Sequence, residues 1–363
     1  MSSSPLRAAV RGGCALLTGG ALVLATACGP PAAPEPPATA PSASPGTTPV
    51  ERSVTFDGAG DTVHGTVALP PGTSGPVPGA LIISGSGPTD RDGNSPARPD
   101  ADTNANFARV LAAAGVASLR YDKLGSGETG LGGREAAEPV GYDVFEDQMA
   151  AAYAELLDQP EVDPERILVL GHSEGSLFAL RAPQVVSGPP PAALVLAAPV
   201  GARYLDLLDR QVTEQVRDGE GSGALDAAAA TTVLSDTRLA IARLRAGRPL
   251  PDDLAPELAP LFGPATSAFL RRIDAMDPVD LARDLPDGTR TLVLWGTADA
   301  QVTAAEVDRL MTGLPDGERV DLPGADHVFR RYDDSPGATA LDAERPFAPD
   351  AAPALEEFLG TVW

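Results

Sequence analysis

Cysteine is almost absent from this sequence. The 363 residues contain two, Cys14 and Cys28, and none beyond position 28. A domain without cysteine can form no disulfide, no thiolate nucleophile and no cysteine-ligated metal site. Cys28 therefore has no structural partner in a chain cut near that position, and attachment of a lipid is the simplest use for it.

Basic residues are also scarce. The formal net charge is −23 at pH 7, and such a chain repels phosphates, which argues against nucleic acid as a partner. The single lysine, Lys123, accompanies a general bias toward arginine, alanine, proline and glycine. On its own it indicates no function.

Residues 1–28 resemble an export signal. A basic start precedes an uncharged run at 12–27, which is too short for a comfortable transmembrane helix. The small residues before Cys28 resemble a lipobox, in which the chain is cut before a cysteine that is then lipidated, although Ala25 stands where leucine is usual. We expect a lipoprotein on the outer face of the cell membrane. Ordinary signal cleavage, giving a secreted protein, is the alternative.

The next segment, residues 29–50, consists mainly of proline, alanine, serine and threonine. This composition cannot build a core, and its prolines favour an extended linker. Residues 51–363 are then enough for one large α/β domain with an insertion.

Short apolar runs alternate with helical patterns through that domain. This alternation predicts a mostly parallel, doubly wound sheet, with functional loops at the carboxyl ends of its strands. The segment 202–285 breaks the alternation with helical patterns alone, and it is too long for an ordinary connection. We predict that it forms a helical lid. The candidate strands are 53–56 and 63–69 as an opening hairpin, then 80–83, 116–121, 166–170, 193–197, 291–295 and 319–322.

The central feature is Gly171-His172-Ser173-Glu174-Gly175, which follows the buried strand at 166–170 and precedes a helical pattern. Strand, G-x-S-x-G and helix together form the turn that exposes a nucleophilic serine. A chance match is the alternative in a chain with 38 glycines. The flanking strand and helix argue against it, so we predict that Ser173 is a catalytic nucleophile.

A serine nucleophile needs a base, and there are three histidines. His64 lies in the opening hairpin, and the side chain of His172 should point away from that of Ser173. His327 follows the last strand and can reach the serine, so we predict that it is the base. Asp299, between a strand and a helix, is predicted to hold its imidazole; helix capping is the alternative role for this aspartate.

Backbone amides are expected to stabilise the developing oxyanion. The glycine-rich turn after the strand at 80–83 leaves its N–H groups free, and we favour the amide of Ser86, with Gly85 next. The other donor is predicted to be the amide of Glu174, just after the nucleophile. The Glu174 side chain should turn into the fold or along the helix and pair with an arginine or lysine.

The same turn carries Asp90-x-Asp92-x-Asn94, which faintly resembles a calcium loop. The downstream glutamate that such a loop requires is missing. A turn capped by its own side chains is therefore favoured, and we predict no metal.

Five motifs together resemble the α/β-hydrolase fold, in the group of bacterial esterases and enzymes similar to serine aminopeptidases. They are GSGPTDRDGN at 85–94, RYDKLGSGET at 120–129, GHSEGS at 171–176, GTAD at 296–299 and GADHVF at 324–329. The resemblance implies hydrolysis of carboxylic esters of small or medium acyl chains through an acyl-enzyme, without a cofactor.

The sequence departs from the family pattern at Leu124, where arginine is frequent, and at Ser176, where glycine is common. Neither position belongs to the predicted triad. A thioesterase, a lactonase or an aminopeptidase on the same triad is an alternative to an esterase. A lipoprotein that keeps the fold as a binding protein is another.

Overall fold

The protein is described by a computed structural model covering residues 48–135 and 138–363. The predicted export signal, Cys28 and most of the predicted linker lie outside these residues. Within the described part of the chain, no helix is both long and apolar enough to cross a membrane.

Eight strands form one sheet in the order β1-β2-β4-β3-β5-β6-β7-β8. Only β2 runs antiparallel to its neighbours, so the prediction of a mostly parallel sheet is confirmed. The strands are β1 (Val50–Gly58), β2 (Asp61–Leu69), β3 (Val77–Ile83), β4 (Ala117–Tyr121), β5 (Val162–His172), β6 (Ala193–Ala197), β7 (Arg290–Gly296) and β8 (Glu318–Leu322).

The predicted hairpin is present, with Ala59 and Gly60 as its turn. Their φ angles are 57° and 80°, and this pair of left-handed residues matches the twist of a two-residue hairpin. β1 begins at Val50, one residue before the boundary expected from composition.

Helices cover both faces of the sheet, which explains why the central strands are apolar at successive positions. In β5, Ile167 and Val169 face the side of α2 and α3, while Leu168 and Leu170 face the side of α1 and α9. The helices outside the insertion are α1 (Thr103–Ala113), α2 (Tyr142–Leu157), α3 (Gly175–Val185), α8 (Ala304–Met311) and α9 (Ala351–Val362).

The segment between β6 and β7 is helical, as its pattern predicts. It contains α4 (Tyr204–Ser222), α5 (Ala227–Arg245), a 3₁₀ turn (Pro256–Leu258), α6 (Pro264–Asp274) and α7 (Pro278–Arg283). Phe269 of α6 packs against Tyr142 of α2 with ring centroids 5.8 Å apart. Buried Asp274 accepts hydrogen bonds from Arg203 and Arg245, so the end of α6 is tied to the start of α4 and the end of α5.

Candidate active site

Ser173 stands in a sharp turn between β5 and α3. Its φ of 55° is left-handed, a strained conformation for a residue with a side chain. The flanking glycines permit the turn: a Cβ at Gly171 would lie 2.2 Å from the oxygen of Gly175, and a Cβ at Gly175 would lie 2.4 Å from the oxygen of Ile83. The chain can therefore expose Ser173 only with glycine at both positions.

Three predicted side chains meet at this turn. Nε2 of His327 lies 3.1 Å from Oγ of Ser173, and Nδ1 of His327 lies 2.8 Å from Oδ2 of Asp299. Asp299 and His327 are both buried, with 9% and 7% exposure. In this geometry the imidazole can take the serine proton while the carboxylate fixes its tautomer.

Asp299 also performs a local backbone role. Its Oδ1 accepts hydrogen bonds from the amides of Gln301 and Val302, while Oδ2 remains for His327. The capping residue of α8 is Thr303 rather than Asp299. The helix-capping alternative is therefore wrong: one oxygen of Asp299 holds the turn before α8, and the other faces His327.

The other histidines do not approach Oγ of Ser173. His64 lies on β2, where its backbone amide donates a 3.0 Å hydrogen bond to Oγ1 of Thr129. His172 turns its ring away from the serine hydroxyl, as expected, and its Nε2 lies 2.9 Å from the backbone oxygen of His327.

The residues expected to supply the oxyanion donors lie beside Ser173. A Cβ built on Gly85 would come within 3.2 Å of Cβ of Ser173, so the turn after β3 passes directly against Ser173. Within residues 48–135 and 138–363, neither the amide of Ser86 nor that of Glu174 donates a hydrogen bond. Both residues line one small cavity together with Ser173.

The Glu174 carboxylate points into the fold and pairs with a lysine, as the sequence suggests. Its Oε1 lies 3.2 Å from Nζ of Lys123, and Oε2 accepts a 2.6 Å hydrogen bond from the hydroxyl of Tyr204. Tyr204 begins α4, and the sequence gives no signal for this contact because Tyr204 lies 30 residues from Glu174. Burial and the nearby carboxylate raise the pKa of Tyr204 well above its usual value, so it stays a hydrogen-bond donor.

The loop carrying His327 is held by a charged cluster that sequence reasoning missed. Asp326 accepts from the amides of Val328 and Arg330 and from the guanidinium groups of Arg98 and Arg345. Arg98 also pairs with buried Asp342. Asp326 is thus fully occupied and cannot replace Asp299 beside the imidazole.

Two cavities meet at Ser173. The larger, about 280 Å³, contains His327 and is lined by polar groups that include Thr89, Ser95, Arg98, Gln301 and Thr339. The smaller, about 20 Å³, lacks His327 and has a mixed lining. Besides Ser173 and the two residues expected to donate to the oxyanion, it includes three polar side chains, Tyr204, Gln211 and Gln301, and four apolar ones. The apolar members are Val200, Leu207, Leu208 and Leu261.

The departures from the family pattern are accommodated locally. Oγ of Ser176 donates to the oxygen of Ser173 at 2.6 Å and accepts from the amide of Val200 at 3.2 Å. Ser176 thereby links the nucleophile turn to the segment that leads into the insertion. Leu124 is buried and lines a cavity beside Phe145 and Phe269.

The Asp90–Asn94 turn uses its own side chains. Oδ1 of Asp90 accepts from the amides of Asp92 and Asn94, and Asp92 accepts from Arg120. No cluster of three or more potential metal ligands occurs among the described residues.

A serine exposed between strand and helix, followed in the chain by aspartate and then histidine on a mostly parallel sheet, is the arrangement of the α/β hydrolases. A model of the alpha/beta hydrolase family matches residues 80–343. The chain belongs to this family.

Solved structures share the fold at low sequence identity. A puromycin hydrolase is 19% identical with a TM-score of 0.53, over 89% of this chain and 40% of its own length. Est1E from Butyrivibrio proteoclasticus is 15% identical with a TM-score of 0.51, over 85% of this chain and 98% of its own. An esterase from Pyrococcus furiosus is 16% identical with a TM-score of 0.53, over 90% of this chain and 96% of its own length. No curated protein sequence matches the chain significantly.

Proposed function

We propose that the protein is a serine hydrolase of carboxylic esters that works through an acyl-enzyme. The observation that carries the proposal is the hydrogen-bonded chain from Ser173 through His327 to Asp299. A hydrogen-bonded serine–histidine–carboxylate chain next to unoccupied backbone amides is suited to acyl transfer.

In the proposed reaction, Oγ of Ser173 attacks the ester carbonyl while Nε2 of His327 takes its proton. The amides of Ser86 and Glu174 hold the oxyanion, and each such donor contributes ~3 kcal/mol to the transition state. His327 then protonates the departing alcohol. The imidazole next activates water, which attacks the acyl-enzyme and releases the acid.

The two cavities suggest which part of the ester goes where. The leaving alcohol must lie on the side of the base that protonates it, which is the larger cavity with His327. The acyl group then enters the smaller cavity of about 20 Å³, where four apolar side chains contribute to the lining. It has room for roughly one water-sized group. We therefore propose a short acyl group, acetyl or propionyl, on a larger alcohol.

An aminopeptidase is less well supported. It would need a free carboxylate to bind the substrate amine. Glu174 is the acidic residue lining the two cavities in the described part of the chain, and its carboxylate already binds Lys123 and Tyr204. Thioesters and lactones fit the same triad and are outcomes of the test below.

The test is hydrolysis of p-nitrophenyl esters with acyl chains from two to sixteen carbons by residues 51–363, with Ser173→Ala alongside. We expect a maximum at two or three carbons and loss of turnover in the variant. If Ser173→Ala keeps the wild-type rate, the proposed nucleophile is wrong. If neither protein acts on any ester, thioester, lactone or aminoacyl amide, the binding-protein alternative replaces the enzyme.

We also propose that the enzyme is exported and attached to the outer face of the membrane through a lipid on Cys28, with no nucleic-acid partner. The support is the sequence of residues 1–28 and the net charge of −23. Metabolic labelling of the full-length chain with an alkyne fatty acid should mark the wild type and not Cys28→Ser. Equal labelling of both would exclude this anchor.

A further inference from the structure

Lys123 holds the peptide between Gly85 and Ser86 by a hydrogen bond to its carbonyl oxygen. The ammonium group donates to the carbonyl oxygen of Gly85 and also pairs with Glu174 at 3.2 Å. No peptide in the described residues is cis. In a trans peptide the carbonyl and the following N–H point in opposite directions, so the amide of Ser86 points away from Lys123.

Ser173 lies close to the same peptide. Gly85 approaches Ser173 so closely that an added Cβ would lie 3.2 Å from Cβ of the serine. Ser86 and Ser173 line both cavities that meet at the site. The hydrogen bond from Lys123 therefore fixes the one orientation of this peptide in which the Ser86 N–H can face an oxyanion on a Ser173 adduct.

A lysine at position 123 suits this buried contact better than an arginine. Lys123 is the only lysine among 27 basic Lys and Arg residues, so the general preference for arginine is broken at one place. A compact ammonium with three rotatable donors can bind a carbonyl and a carboxylate in a narrow buried space, whereas the planar guanidinium of arginine needs a wider one. Lys123 is 6% exposed.

The hydrogen bonds around Lys123 also extend to the helical insertion. Glu174, which binds Lys123, accepts a 2.6 Å hydrogen bond from Tyr204 at the start of α4. Glu174 also supplies the second proposed oxyanion amide. One buried chain, Tyr204–Glu174–Lys123, thus connects the insertion to both residues of the proposed oxyanion hole.

We propose that Lys123 is a positioning residue that orients the Gly85–Ser86 peptide toward the oxyanion, and that Tyr204 supports it from the insertion through Glu174. The kinetic effect expected of Lys123 rests on the proposed ester hydrolysis. The orientation of the peptide itself does not depend on that proposal and can be observed separately.

The kinetic test is Lys123→Met assayed with p-nitrophenyl acetate. We expect kcat to fall by up to ~100-fold, the order seen on loss of one oxyanion donor, with KM changed less than about threefold. Binding of ethylboronic acid, which forms a tetrahedral adduct on the serine, should weaken by the same factor as kcat/KM. Tyr204→Phe should also lower kcat, but by a smaller factor. Lys123→Arg should not have the kcat of the wild type.

Removal of Lys123 alone leaves Glu174 buried without its cation, which is destabilising. The double variant Lys123→Met/Glu174→Gln removes both charges and keeps the test valid if the single variant does not fold. Arg181→Met is the matched control, because Arg181 forms a partly buried pair with Glu146 between α3 and α2. It should lower the melting temperature without lowering kcat.

Crystal structures of wild type and the double variant complete the test. We expect the Gly85–Ser86 peptide to rotate in the variant, so that the Ser86 amide leaves the site. A peptide that keeps its orientation, or a variant with wild-type kcat and boronate affinity, overturns the proposal. A wild type that hydrolyses no ester overturns the proposed function instead, while the peptide orientation still decides the role of Lys123.

Discussion

His172 donates a hydrogen bond from Nε2 to the backbone oxygen of His327, at 2.9 Å. The histidine that precedes the nucleophile therefore holds the loop that carries the proposed base. Its other nitrogen, Nδ1, has no hydrogen-bond partner among the described residues. Burial, reinforced by the neighbouring His327, lowers the pKa of His172 to about 3, so the ring stays neutral in the folded protein.

This neutral histidine should make stability depend on pH. In the unfolded chain a histidine titrates near pH ~6.5. Between that pH and about 3 the unfolded state binds a proton that the folded state does not, so stability falls as the pH falls through this range. From pH 7 to pH 5 we expect this one group to remove ~2 kcal/mol from the free energy of unfolding. Urea unfolding at several pH values measures it.

The comparison variant is His172→Gln, whose side-chain amide can still donate to the oxygen of His327 but does not titrate. Its free energy of unfolding should change less between pH 7 and pH 5 than that of the wild type. Parallel losses in the two proteins would contradict a neutral His172 in the folded state.

Asp299→Asn tests the orientation of the base. An amide can keep the hydrogen bonds from Gln301 and Val302 but cannot stabilise the imidazolium or select the same tautomer of His327. We expect kcat to fall on the order of 10³- to 10⁴-fold, as in other serine hydrolases with this change, while the melting temperature stays near that of wild type. A loss of less than tenfold would show that Asp299 only caps its turn.

Gly175→Ala tests the close packing behind the nucleophile. The added Cβ would lie 2.4 Å from the oxygen of Ile83 and 2.9 Å from that of Ser84, and these backbone atoms cannot easily move away. We expect a destabilisation of at least ~1–3 kcal/mol, the range typical of overpacked cores, together with loss of activity. In Gly360→Ala, the control on α9, the Cβ meets nothing within 4 Å. That variant should be as stable as wild type or gain up to ~1 kcal/mol.

Much of the fold follows from local sequence signals. The apolar runs of β3, β5, β6 and β7 are covered on both faces, and this is why they read as continuous strands. The tight turn at Ser173 is encoded by glycines whose replacement leaves no space. The meeting of Ser173, His327 and Asp299 could be predicted because each follows the end of a strand, and the carboxyl ends of parallel strands lie at one edge of the sheet.

The contacts that could not be predicted join residues far apart in the chain. Tyr204 reaches Glu174 only because α4 folds back over the sheet. Arg98 reaches Asp342 across 244 positions, and neither residue belongs to a recognisable motif. Composition alone assigns no function to Lys123, and the role proposed for it depends on the position of the Gly85 carbonyl, which no local pattern reveals.

Leu208→Ala tests the assignment of the smaller cavity to the acyl group. Leu208 lines that cavity on the insertion side, and its truncation adds space for two or three carbons. Each methylene group newly accommodated contributes about 0.8 kcal/mol, or roughly fourfold in kcat/KM. The optimum among p-nitrophenyl esters should therefore move from acetate toward butyrate and pentanoate.

Leu244→Ala, on α5, is the control, because Leu244 is equally buried but does not line the cavity. It should lower stability without changing the preferred chain length. If longer alcohols rather than longer acyl groups become better substrates of Leu208→Ala, the two cavities have the opposite roles.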